Sequence, residues 1–240
     1  MPPDSRHQGS FLTTRWTCVC LAKADSDDGR RALADLCDAY YEPVVAFLRC
    51  ELLDADEARE MSHAFFAEML EGGTIATAER ERGRFRSYLL GAVKHFLSRQ
   101  REAAQRQKRG GGAVLASLDD EEAQEVADAG QTAPDRAFDR QWALTVLSRA
   151  LNELQRECEA EGKAAVFETL QPWLTGDAAH GDQQELAASL GMNLNSLKSQ
   201  IHRLKQRFRA LVKAEIAATL DEGGSIEEEM VVLFATLRRE

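Results

Sequence analysis

Between Glu185 and Val212 the chain reads ELAASLGMNLNSLKSQIHRLKQRFRALV, and the spacing of its apolar residues leaves little choice of structure. Leu197, Ile201, Leu204, Phe208 and Leu211 follow one another at intervals of 4, 3, 4 and 3. That places them on one stripe of a helix, whereas on a strand they would fall on both faces. Just before them, Leu186, Ala187 and Leu190 give a short helix an apolar face. The small Ala187 and Ala188 permit a neighbouring helix to cross closely. Gly191 falls where the turn between the two helices needs a residue that tolerates positive φ. Asn195 is read as the N-cap of the second helix. The segment predicts a helix-turn-helix.

The opposite face of the second helix carries its chemistry. Ser196, Ser199, Gln200, Arg203 and Arg207 share one surface. The first residues of a recognition helix are those that reach base edges in the major groove. Asn195, Ser196, Lys198, Ser199 and Gln200 hold these positions, and all can hydrogen-bond. Gln suits adenine and Lys suits guanine. Arg203, Lys205, Arg207 and Arg209 lie further along and suit phosphates. His202 has no ligand partner nearby and is read as a surface or phosphate-contacting residue. A solvated basic face on an ordinary amphipathic helix is the plainer alternative.

A net charge of −10 argues against nucleic acid until its distribution is considered. From Arg82 to Arg109 there are nine Lys or Arg and one acid, Glu102. From Leu186 to Lys213 there are six Lys or Arg and no acid. The negative charge sits elsewhere, notably Asp119 to Asp128 and Asp221 to Glu229. Electrostatic contact with DNA needs local positive surface, not a positive total.

The rest of the chain is also helix-patterned, with almost no β-branched alternation, so the expected class is all-α. Residues 1–30 form an N-terminal segment with an apolar and aromatic patch, Phe11 to Val19. A helix over 31–53 carries Leu33, Leu36, Tyr40, Val44, Phe47 and Leu48 on one face, and Pro43 can kink it. A second helix spans 55–71 and ends at Gly72 and Gly73. A third spans about 85–109. Gly110, Gly111 and Gly112 then break the pattern. Two small helical domains are expected, at 31–112 and 137–220, joined by a flexible acidic linker at 113–136. An extension, 221–240, follows Gly223 and Gly224. Its Met230, Val231, Leu233, Phe234 and Leu237 either cover an apolar patch of one domain or bind a regulator.

In the first domain, DADEAREMSHAFFAEMLEGG sets Met61, Phe65, Phe66 and Met69 on an apolar side. Glu57, Glu60, Ala64, Glu68 and Glu71 gather on another side. Such an acidic stripe either is simply solvated or docks a basic partner helix. In RGRFRSYLLGAVKHFLSRQRE, the residues Phe85, Tyr88, Leu89, Ala92, Val93, Phe96 and Leu97 pack one face. Arg84, Arg86, Lys94, Arg99 and Arg101 supply charge. Aromatics beside cations are what a single strand needs: faces for unstacked bases and charge for the backbone. Most of these aromatics are still expected in the core.

Taken together, these segments resemble the extracytoplasmic-function sigma factors of the sigma-70-like family over about residues 10 to 220. EAREMSHAFFAEML looks like that family's polymerase-docking helix, and FRSYLLGAVKHFLSRQRE looks like the segment that melts and reads the −10 element. LNSLKSQIHRLKQRFR resembles the helix that reads the −35 element. FLTTRWT and KRGGG look like a planctomycete-type subgroup. The resemblance implies that residues 31–112 hold sigma region 2 and residues 137–220 hold sigma region 4. It implies that Glu57, Glu60, His63, Phe65 and Glu68 face core RNA polymerase. Arg84, Arg86, Tyr88, Lys94, His95 and Arg99 would lie near the −10 strand. Asn195, Ser196, Lys198, Ser199, Gln200, Arg203 and Arg207 would meet the −35 duplex. The chain departs from the usual pattern at Glu60 for Asp, His63 for Gln, Tyr88 for Trp, His95 for Asn and Gln200 for Arg.

The implied function is promoter recognition, DNA melting and transcription initiation by assembly with core RNA polymerase on promoter DNA. An anti-sigma factor or other regulator is a further implied partner. The alternative is a stand-alone helix-turn-helix regulator that binds duplex DNA. No phosphate-binding glycine loop, nucleophile elbow or HExxH occurs, so no enzyme activity, cofactor or metal is expected. Cys18, Cys20, Cys37, Cys50 and Cys158 lack paired metal spacing and read as free thiols. No apolar run reaches the ~18 residues of a transmembrane helix and no secretion signal opens the chain. A cytoplasmic protein without membrane contact is expected.

Overall fold

The computed structural model of the chain describes residues 26–52, 54–70, 84–110, 133–175, 183–220 and 224–238. All regular secondary structure among them is helical. In chain order the helices are α1 (Asp27–Leu52), α2 (Ala55–Leu70), α3 (Phe85–Gly110), α4 (Pro134–Ala160), α5 (Ala164–Leu170), α6 (Pro172–Thr175), α7 (Gln183–Ser189), α8 (Leu194–Ala217) and α9 (Ile226–Arg238). The FLTTRWT patch, Cys18, Cys20, Gly72, Gly73 and most of the expected linker lie outside the described residues, as does the acidic run from Asp119 to Asp128.

The chain divides into two compact units. Unit 1 comprises residues 1–143 together with 219–240, and unit 2 comprises residues 144–218.

Unit 1 is built on α1, α2 and α3. Ser26 Oγ accepts from the amide of Gly29 at 3.0 Å, and Asp27 and Asp28 in the first turn of α1 complement the helix dipole. The helix continues through Pro43. Leu36, Tyr40, Val44, Phe47 and Leu48 form its buried stripe. Asp54 caps α2: its Oδ1 accepts from the amides of Asp56 at 2.8 Å and Glu57 at 2.9 Å. Those bonds hold the Asp54 carboxyl below its ordinary range. On α3, Phe85, Leu89, Val93, Phe96 and Leu97 are buried. Edge-on ring contacts join the three helices: Tyr40 to Phe85 at 5.1 Å and Phe65 to Phe96 at 5.5 Å between centroids. Such pairs contribute about 0.5–1.5 kcal/mol each beyond their buried area.

Two further pieces belong to this unit. The start of α4 supplies Phe138 and Trp142, both buried, so the unit reaches past the boundary at 136/137 expected from the sequence. The last described helix, α9, belongs to it as well, with Glu229 and Leu233 buried. Before α9, Gly224 lies so close to Leu220 that a Cβ there would come within 2.9 Å of the Leu220 Cβ. A larger residue would force the chain away.

In unit 2, Val146, Ala150, Leu154 and Cys158 are buried at every fourth position of α4. Arg149 Nε donates to Glu215 Oε2 at 3.2 Å, tying α4 to α8. Leu170, Ala187, Leu197 and Ile201 form a second core, with Val166, Trp173, Leu186, Leu190, Met192 and Leu204 packed against it. This core holds α7 against α8. Cys37, Cys50 and Cys158 are free thiols, and burial pushes the Cys37 and Cys158 thiols upward.

Candidate nucleic-acid interface

In unit 2, α7 ends at Ser189, and Gly191 takes φ +65° in the turn, as its place in the sequence predicts. Open space surrounds its missing Cβ, so the requirement for glycine is one of backbone conformation alone. The N-cap of α8 is Asn193, not Asn195. Asn193 has an extended backbone, and its side chain accepts from the amide of Ser196 at 2.8 Å. The helix therefore starts one residue before Asn195, and the Asn195 side chain is left exposed in its first turn. Two asparagines two positions apart offer the same capping chemistry. Only the direction of the chain leaving Gly191 selects between them.

Leu197, Ile201 and Leu211 are buried on α8, and Leu204 and Phe208 are partly so. Asn195, Ser196, Lys198, Ser199, Arg203 and Arg207 are exposed, and Gln200 is half-buried. Asn193, Asn195, Ser196, Ser199 and Arg203 line a shallow groove along the first turns. Lys198, Ser199, His202 and Arg203 line the adjoining surface. No carboxylate among the described residues pairs with Lys198, Arg203, Lys205 or Arg209. Arg207 differs. Its Nε donates to Glu157 Oε2 at 2.7 Å, and this bond draws the Glu157 carboxyl below its ordinary value. A phosphate at Arg207 must displace Glu157, whereas one at Arg203 displaces only water.

In unit 1, Glu57 and Glu60 are exposed on α2. His63 is exposed beside them, hydrogen-bonded at Nε2 to the Tyr41 hydroxyl at 3.0 Å and stacked on its ring. Phe65 does not lie on this face. It is 1% exposed, wedged edge-on between Phe66 and Phe96. The apolar and acidic sides of α2 are thus separate: one is core and the other is surface.

Three exposed cations of α3 pair with carboxylates from other helices. Arg101 Nη2 lies 2.9 Å from Glu51 Oε2, Arg99 pairs with Glu68, and Lys94 Nζ lies 2.7 Å from Asp135 Oδ2. These pairs are open to water, where such contacts contribute little. The start of α3 is different. Arg86 is 7% exposed, its guanidinium 4.4 Å from the Trp142 ring centroid. Its Nη1 lies 3.3 Å from Asp139 Oδ1 and its Nη2 3.4 Å from Glu229 Oε2. Arg84 Nε lies 2.7 Å from Glu229 Oε1. Burial pushes the Asp139 carboxyl up, against the pull of Arg86. A cleft of about 260 Å³ lies beside this network, lined by Arg86, Ser87, Leu90, Gly91, Lys94 and Asp139. Tyr88 is half-buried and His95 exposed.

Sequence reasoning missed Asp135, Asp139, Trp142 and Glu229 as partners of α3. The signal available was the acidic run ending at Glu229, but nothing local says which cation it meets. Among the described residues no group of His, Cys, Asp or Glu is placed to hold a metal ion. No described helix is long and apolar enough to cross a membrane. No family model, curated protein or solved structure matches the chain.

Proposed function

We propose that this chain is a sigma factor of the extracytoplasmic-function type, a non-catalytic subunit that gives core RNA polymerase its promoter preference. The observation that carries the reading is the start of α8. There a tight Gly191 turn presents Ser196, Lys198, Ser199 and Arg203 on an exposed face with no carboxylate partner among the described residues. That face suits a DNA major groove. A second unit with an exposed acidic helix face (Glu57, Glu60) and an aromatic, cationic helix (α3) supports a sigma factor over a stand-alone regulator, which needs neither.

In this reading α2 docks on the polymerase through Glu57, Glu60, His63 and Glu68. Phe65 acts from beneath, by holding α2 on the core. Arg84, Arg86, Tyr88, Lys94, His95 and Arg99 hold the −10 strand, with unstacked bases captured as the duplex opens. Unit 2 holds the −35 duplex. The two contacts belong to one chain, so that each raises the effective concentration of the other.

Run-off transcription on a pool of random promoters, with purified core polymerase and with or without this protein, tests the reading. Selective initiation that disappears in a Glu57→Lys, Glu60→Lys variant is the expected result. Tight duplex binding by the protein alone, with no stimulation of polymerase, would establish the stand-alone regulator in its place.

A further inference from the structure

The carboxylates that neutralise α3 fall into two kinds. Those on Arg101, Arg99 and Lys94 are half-buried (Glu51, Glu68) or exposed (Asp135) and pair with exposed cations, so a passing phosphate can exchange with them at little cost. Glu229 is 1% exposed and sits between Arg84 and Arg86, with Glu228 Oε2 a further 3.8 Å from Arg84. Arg84 keeps 39% of its side chain exposed, whereas the Glu229 side of both guanidiniums opens to a phosphate only if α9 moves.

The way α9 is held suits such movement. Its fully buried residues are Glu229 and Leu233 alone, with Ile226, Met230, Val232 and Leu237 half-buried beside them. Val231 and Phe234 are 68% and 46% exposed. A helix of this length is marginal without tertiary contacts. Glu227 and Glu228, also in its first turn, are explained by the helix dipole. The dipole gives no reason to bury a third carboxylate against two arginines, where desolvation opposes it and an apolar residue would pack as well.

We infer that α9 is a displaceable intramolecular cover, whose Glu228 and Glu229 occupy Arg84 and Arg86 in place of the phosphates of a single DNA strand. The inference rests on the reading of α3 as the strand-binding helix. It adds that in the free protein Glu228 and Glu229 hold part of this site while the α8 face remains open. Strand binding and α9 docking then compete, and a strand gains access only in proportion to the fraction of molecules with α9 released.

The test uses the full chain and a labelled, randomised single-stranded DNA of about 20 nucleotides, without polymerase. The Glu228→Gln, Glu229→Gln double variant is expected to bind this DNA about tenfold more tightly than the wild type, as for a cover closed in about nine molecules of ten. Equal affinity in a variant that retains its helical circular dichroism would overturn the inference. Hydrogen exchange on the wild type needs no variant. Adding the DNA is expected to speed exchange across residues 226–238, and unchanged protection there at saturating DNA would overturn the inference. Run-off transcription by the wild type tests the sigma reading separately. Selective initiation with no effect of the double variant on strand binding removes the cover and keeps the sigma factor. Absent initiation with tighter strand binding by the variant keeps the cover and removes the sigma factor.

Discussion

The guanidinium of Arg207 clasps the carboxylate of Glu157, Nε to Oε2 at 2.7 Å, and so joins α8 to α4. One helical turn earlier, Arg203 is exposed on the same side of α8 with no carboxylate partner among the described residues. Two arginines that look equivalent in sequence therefore start from different states: Arg207 is already paired with a carboxylate, across a contact open to water, and Arg203 is not.

Salt dependence separates them. Each phosphate neutralised contributes about 0.9 to the slope of log affinity against log salt for duplex DNA. Arg203→Ala is expected to weaken duplex binding and reduce that slope by about one. Arg207→Ala is expected to alter the slope less, because Glu157 already holds that guanidinium, and to change the melting temperature of unit 2 only slightly, because the pair is open to water. Fluorescence anisotropy over a salt series, with thermal melts beside it, checks both.

The pH response should differ in sign between the units. Glu157 titrates below its ordinary value because Arg207 hydrogen-bonds its ionised form. Its contribution to stability is present above about 4.5 and is lost as pH falls through its lower, folded value. Asp139 is raised by burial, so its contribution is complete below about 3.8 and is lost as pH rises through its folded value. Glu157→Gln should flatten the acid side of the unit 2 stability curve. Asp139→Asn should remove a loss on the rising side in unit 1. Urea titrations followed through Trp173 for unit 2 and Trp142 for unit 1 provide the readout.

Capping gives a sharp contrast between two neighbouring asparagines. Asn193→Ala is expected to cost about 1 kcal/mol of unit 2 stability, the usual loss of a helix cap. Asn195→Ala, on the exposed first turn, should stay within about 0.5 kcal/mol and instead reduce duplex affinity. Denaturant unfolding and duplex binding on the same two proteins measure this.

At Gly191 the expectation follows from backbone conformation alone. A Cβ meets nothing within 4 Å, so Gly191→Ala carries only the left-handed cost of about 1–2 kcal/mol. Loss of stability without loss of helical signal would match that account.

On α2, Phe65→Ala should cost about 3–5 kcal/mol, as for other buried aromatics, and so confound any binding assay. Glu60→Lys should leave the melting temperature nearly unchanged and abolish co-purification with core polymerase. Calorimetry and pull-down on both variants compare core with surface.

The sequence by itself determined the helical class, the approximate extents of α1, α2 and α3, the left-handed turn at Gly191 and the exposed polar face of α8. All of these follow from local spacing: a 4-3-4-3 apolar stripe and a glycine between two helices constrain nearby backbone whatever surrounds them. Only the tertiary structure decided that Phe65 is core, that Asn193 caps α8 in place of Asn195, and that Arg207 is spoken for. It also decided that Arg84, Arg86, Lys94, Arg99 and Arg101 are matched by Glu51, Glu68, Asp135, Asp139 and Glu229. Those pairings span dozens of residues and more, and a charge pattern says which groups need partners without saying which helices will meet. A buried carboxylate such as Glu229 is the extreme case: its residue type predicts a surface, and only the two arginines folded around it make its burial tolerable.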